Sequence, residues 1–174
     1  MPATIAHDVT PHGANWKFLG VRIVKMATGD RYAIRDRERE TAIVLVAGDA
    51  RLHGTPYGRQ LRRKSPFTEM APAVYVPPRC EVVVEAFAPT ELAIGTAPAR
   101  GDYPFAVIEP ASMPSVLRGG GPAYRQVISP LADPEPAERL IVYEAYLPRG
   151  AWSGWPPHRH DGVDGSPYLE ETYY

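Results

Sequence analysis

Eight short apolar runs recur along the chain, each about the length of a β-strand, and each is closed by Pro, Gly or Asp. FLGVRIVKM (18–26) alternates in part: Phe18, Val24 and Met26 fall on one face, and Arg22 interrupts it. TAIVLVAG (41–48) is a compact β-branched run stopped by Gly48 and Asp49, and AVYV (73–76) stops at Pro77 and Pro78. CEVVVEAF (80–87) and TELAIG (90–95) flank Ala88 and Pro89; FAVIE (105–109), AYRQVIS (123–129) and RLIVYEAYL (139–147) complete the series. No stretch sustains a helical period beyond about three turns. RDRERETA (35–42) reads as a solvated loop or hairpin tip rather than a charged turn of helix. The pattern predicts an all-β sandwich or barrel.

The punctuation agrees. Twenty prolines and fifteen glycines in 174 residues suit many short strands joined by turns. An apolar content of 44% allows a packed core. The proline-rich ISPLADPEPAER (128–139) is the best boundary, predicting a first β domain over 1–130, a linker over 131–138 and the start of a second β domain over 139–174.

A formal net charge of −1 gives no overall field toward nucleic acid or an anionic membrane. The densest basic run, RQLRRK (59–64), lacks aromatic interleaving and reads as a solvated loop. Cys80 is the only cysteine, which excludes an intramolecular disulfide and a Cys-rich zinc site. MPATIAHDVT lacks the basic start and apolar stretch of a signal peptide, and no window approaches the roughly 20 apolar residues of a membrane span. The expectation is a soluble cytoplasmic protein with no nucleic-acid or membrane partner.

Chemistry concentrates at the end, in WPPHRHDGVDGSPYLEETYY (155–174). On a strand, His158 and His160 project to one face, and two neutral imidazoles can share a divalent ion. Residue type alone leaves Zn, Mn, Fe, Co and Ni open. DGVDGSP reads as a hairpin loop, with Asp161 and Asp164 as turn residues. In YLEETYY, Leu169, Glu171 and Tyr173 share the more apolar face, so Glu171 is the expected third ligand and Glu170 its solvent-side neighbour. Nothing around His7, His12 or His53 recommends them.

The Trp-Ser-x-x-Pro-Pro-His-x-His-Asp run at 152–161 and Leu-Glu-Glu-Thr-Tyr-Tyr at 169–174 resemble the 5-deoxy-glucuronate isomerase family of inositol catabolism, related to the hexosulose-uronate ketol-isomerases. The resemblance extends to GPAYRQVIS, SPFTEMAPAVYVPP and TELAIGTAPA, and so covers most of the chain. It implies a cupin-type β-sandwich or barrel in a bicupin, with His158, His160 and Glu171 as metal ligands. Members of that family continue past this point, where they close the second barrel and add a histidine ligand. The resemblance therefore implies an incomplete second barrel and impaired activity for these 174 residues alone.

The implied reaction is metal-dependent aldose–ketose isomerisation of 5-deoxy-glucuronate to 5-dehydro-2-deoxy-gluconate, with Zn or Mn as the expected ion. The catalytic base stays unassigned: Tyr143, Tyr146 and Tyr173 read first as core or wall aromatics. A sugar-acid substrate needs a cationic partner, for which Arg125 and Arg159 are the candidates. The rival readings are another metal-dependent cupin enzyme, such as a dioxygenase, and a non-enzymatic sugar-binding or interaction module. An exposed sheet edge would favour a homo-oligomer.

Overall fold

The computed structural model describes residues 3–54, 58–132, 137–154 and 159–174. The chain is all-β, as the apolar pattern predicts. Its strands are β1 (Thr4–Val9), β2 (Gly20–Met26), β3 (Arg31–Arg35), β4 (Arg39–His53), β5 (Gln60–Arg63) and β6 (Ala73–Val76). They continue with β7 (Glu81–Ala86), β8 (Thr90–Pro98), β9 (Ala106–Ile108), β10 (Ser115–Arg118), β11 (Arg125–Leu131) and β12 (Val142–Tyr146). The helical elements among the described residues are two single 3-10 turns, Pro110–Ser112 and Gly121–Ala123. No helix among them is long and apolar enough to cross a membrane.

Three sheets stack in layers. The central sheet runs β1-β2-β8-β4-β6-β9, with antiparallel pairing throughout. The second half of β4 leaves it and pairs instead with β5 and β7, and β7 pairs with β3. A third sheet, β10-β11-β12, covers the other side of the central sheet. At β4 and β6 the central sheet is therefore buried on both faces, which explains why these two strands read as unbroken apolar runs. In β4, Ile43 and Leu45 enter one core while Ala42 and Val44 enter the other. In β6, Val74 and Val76 face the first core, and Ala73 and Tyr75 the second. Of the expected sandwich or barrel, the packing is the sandwich: among the described residues the sheets stay open and pack face to face.

One kink lets β4 serve two sheets. Its register against β8 shifts between Leu45 and Ala47, a bulge that bends the strand. Gly48 follows at φ +123°, and a Cβ there would lie 2.6 Å from Thr90 Cα and 2.7 Å from the Pro89 carbonyl. Only glycine fits both the backbone angle and the space.

Several sequence expectations change. RQLRRK is not a loop: β5 pairs with β4, and its alternation buries Leu61 and Arg63. β1, β3 and β10 carry little apolar surface and gave no signal. The expected linker, 131–138, begins at the last residue of β11, and β12 pairs with β11 in one sheet. Residues 133–136 lie outside the described residues.

Carboxylates fasten the layers. Glu40, fully buried, accepts the Tyr75 hydroxyl at 2.9 Å and the backbone N–H groups of Glu138, Arg139 and Leu140 at 2.9, 2.7 and 2.8 Å. Burial, with Glu40 beside it, pushes the Tyr75 hydroxyl well above its ordinary range. Glu138 in turn accepts the N–H groups of Arg100, Gly101 and Asp102 at 2.7, 2.6 and 3.0 Å. Arg63, 2% exposed, pairs with Glu144 of β12 at 2.7 Å and donates to Tyr146 Oη and to the carbonyls of Leu45 and Glu69. These contacts seat β12 and set where the following chain begins.

Candidate metal centre

Residues 159–174 turn back on themselves as the Gly/Asp/Pro spacing predicts. Asp161 and Tyr168 form an antiparallel bridge, and the Leu169 N–H donates to the His160 carbonyl at 3.1 Å. Gly162, Asp164 and Gly165 take positive φ in the turn, at +78°, +52° and +81°. Asp161 accepts the Val163 N–H at 3.0 Å, and Arg159 pairs with Asp164 at 2.7 Å and Asp161 at 3.5 Å. Both aspartates are thus engaged in the turn, and Arg159 is already paired.

The pairing then stops. Residues 169–174, expected as a strand, carry no ladder, because no second strand lies alongside them among the described residues. Side contacts hold them instead. Tyr174 Oη bonds Glu91, and its ring meets His7 edge-on at 6.3 Å between centroids.

The two glutamates take opposite roles. Glu171 Oε2 lies 4.0 Å from His160 Nε2 and accepts the Tyr173 hydroxyl at 3.3 Å. Donors that each sit about 2.1 Å from one ion are about 3.4 Å apart in tetrahedral coordination, so this pair would have to close by about half an ångström to share a cation. The His160 side chain is 23% exposed and that of Glu171 46%, leaving the approach open. His158, the other expected imidazole, lies outside the described residues. Among the described residues no third His, Cys, Asp or Glu joins the pair closely enough to hold an ion. His53 is engaged with Glu85 at 2.6 Å.

Glu170 does not face solvent as the alternation argument expected. Its carboxylate accepts three consecutive backbone N–H groups, from Lys17, Phe18 and Leu19, at 2.6, 2.8 and 2.7 Å. Tyr168 Oη adds a fourth hydrogen bond at 3.1 Å. Burial pushes this carboxyl up, but the amides of Lys17, Leu19 and Phe18 together with Tyr168 outweigh it, and it stays below the ordinary range. Alternation orients side chains only within a ladder; a row of unpaired amides attracts an anion more strongly than a half-formed strand orients it. The receiving segment is itself fixed, since Arg39 donates to the carbonyls of Phe18 at 2.5 Å and Thr96 at 2.9 Å. Arg139 lies over the Phe18 ring at 5.0 Å. Within the sequence, only the doubled glutamate hinted at a second role.

A layered all-β protein with a histidine and a carboxylate converging beside a hairpin is the class this geometry defines. The KduI/IolB family model matches residues 2–174, and the chain belongs to that family. It is 35% identical over 172 residues to a 5-deoxy-glucuronate isomerase of Geobacillus thermodenitrificans, covering 95% of this chain and 62% of the relative. It is 30% identical over 177 residues to a 5-deoxy-glucuronate isomerase of Halalkalibacterium halodurans, covering 98% and 66%. The crystal structure of an IolB-like protein from Salmonella typhimurium LT2 superposes with a TM-score of 0.88 at 34% identity, over 94% of this chain and 64% of that one. The chain thus spans 62% of the length of the first of these relatives.

Proposed function

We propose that this chain serves a metal-dependent aldose–ketose isomerase that converts 5-deoxy-glucuronate to 5-dehydro-2-deoxy-gluconate in myo-inositol catabolism. The observation that carries the reading is the family match over residues 2–174, and the approach of His160 and Glu171 to 4.0 Å supports it. His160, Glu171 and His158 would hold a divalent ion, Zn or Mn. Such an ion supplies Lewis-acid polarisation of the sugar carbonyl and stabilises charge as the carbonyl moves between C1 and C2. The isomerisation moves the C2 hydrogen to C1 and the O2 proton to O1, and leaves the composition of the sugar unchanged.

The chain's own groups prepare that chemistry. Glu171 offers a hard anionic oxygen, and the Tyr173 hydroxyl that donates to it restricts its orientation. Arg125 is the better of the two cationic candidates for the sugar carboxylate. Arg159 is engaged with two aspartates, whereas Arg125 donates to the Ala123 carbonyl at 3.4 Å.

The test is proton NMR of 5-deoxy-glucuronate incubated with the chain and Mn²⁺ or Zn²⁺. Turnover slower than that of the longer relative, as expected of a chain spanning 62% of its length, and abolished by a chelator and by His160→Ala or Glu171→Gln, is the expected result. No turnover, or turnover indifferent to all three, would overturn the reading. Oxygen consumption during turnover would point instead to a dioxygenase.

A further inference from the structure

We infer that Glu170 is a positioning residue for the candidate metal centre, holding the Glu171 segment against residues 17–19 so that Glu171 meets His160. The inference rests on the metal-centre reading above. The segment 169–174 has no strand partner among the described residues, so ordering it must come from side-chain contacts. Of these, the Glu170 clamp is the most extensive, with three charge-assisted N–H bonds of 2.6 to 2.8 Å and one hydroxyl. The platform is rigid from behind: Arg39, which rises from β4, grips the Phe18 carbonyl, and Leu19 packs against the second core. A continuous path therefore leads from the central sheet through Arg39, residues 17–19 and Glu170 to Glu171.

The same device recurs where no metal chemistry is in view. Glu40 grips the amides of 138–140, and Glu138 those of 100–102. In both places a carboxylate fastens a segment by three successive backbone N–H groups. At Glu170 the fastened segment carries a candidate ligand in the very next residue. Freeing it would let Glu171 swing away from His160 while leaving both cores packed.

Cobalt(II) titration of the full 174-residue chain, read by visible absorption, tests this together with hydrogen exchange at residues 17–19. The variants are Glu170→Gln, Glu171→Gln and, as a control clamp, Glu138→Gln. The expected result has three parts. Wild type and Glu138→Gln bind one equivalent with the same spectrum, and Glu171→Gln binds none. Glu170→Gln binds about 10- to 100-fold more weakly with an altered spectrum, and it alone loses protection at residues 17–19. The metal-free unfolding midpoint of Glu170→Gln should fall no further than that of Glu138→Gln. Wild-type affinity and spectrum in Glu170→Gln would overturn the positioning role and leave the metal centre standing. Failure of wild type to bind cobalt, or indifference of binding to Glu171→Gln, would overturn both.

Discussion

Replacing Glu40 by alanine removes the acceptor that four donors share, and the structure sets the size of the loss. Two of those donors, the Tyr75 hydroxyl and the Leu140 N–H, belong to residues only 1% and 6% exposed, so water cannot take the place of the carboxylate. Each buried donor left unsatisfied costs about 1–3 kcal/mol. The N–H groups of Glu138 and Arg139 lie in less buried residues and recover part of their loss by hydration. Removing a buried charge also relieves its desolvation, so the two inner donors dominate. The expected destabilisation is about 4 kcal/mol, which for a chain of this size lowers the unfolding midpoint by about 8–16 °C. Urea unfolding followed by tryptophan fluorescence and circular dichroism measures it, with hydrogen exchange at residues 138–140 as the local readout. A loss under about 1 kcal/mol with protection intact would refute the claim that this carboxylate fastens the third sheet to the second core.

Gly48→Ala forces an L-residue into φ +123° and drives a Cβ to 2.6 Å from Thr90 Cα, so it should cost at least about 2 kcal/mol in urea unfolding. Arg63→Met leaves Glu144 without its buried partner and should destabilise by about 3–5 kcal/mol. The double variant Arg63→Met/Glu144→Gln should lose less than the sum of the singles in a double-mutant cycle. The Glu138 carboxyl is held below its ordinary range chiefly by the backbone N–H groups of Arg100 and Asp102. A lowered folded value means its stabilisation is fully present above the unfolded carboxylate value of about 4.3 and is lost as pH falls through the depressed one. The stability gap between wild type and Glu138→Gln should therefore be constant near neutral pH and close as pH drops below about 4.

The sequence alone determined the all-β class, the eight apolar strands and the hairpin that follows His160. Apolar runs of strand length, and Gly or Asp where the backbone must turn, are local properties, and they survive in any packing. AVYV shows this well: its four apolar residues end at two prolines, and β6 spans those same four residues. It also carried the His-x-His and Glu-Glu motifs, because the residue types a metal centre needs are visible without a fold.

Tertiary contacts set where strand and side chain go when their partners lie far away in the chain. Strand β4 divides between two sheets because a bulge and one glycine pack against residues 89 and 90. Arg63 reads as surface charge in RQLRRK, yet β5 turns it inward to a glutamate of β12. Glu170 and Glu171 are neighbours that alternation sorts into inner and outer. The inner place goes to Glu170 because three unpaired amides, some 150 residues earlier, wait for an anion. Hydrogen-bond satisfaction of a distant backbone segment leaves no periodic trace in the sequence, and it outweighs the weak orientation a short unpaired strand can impose.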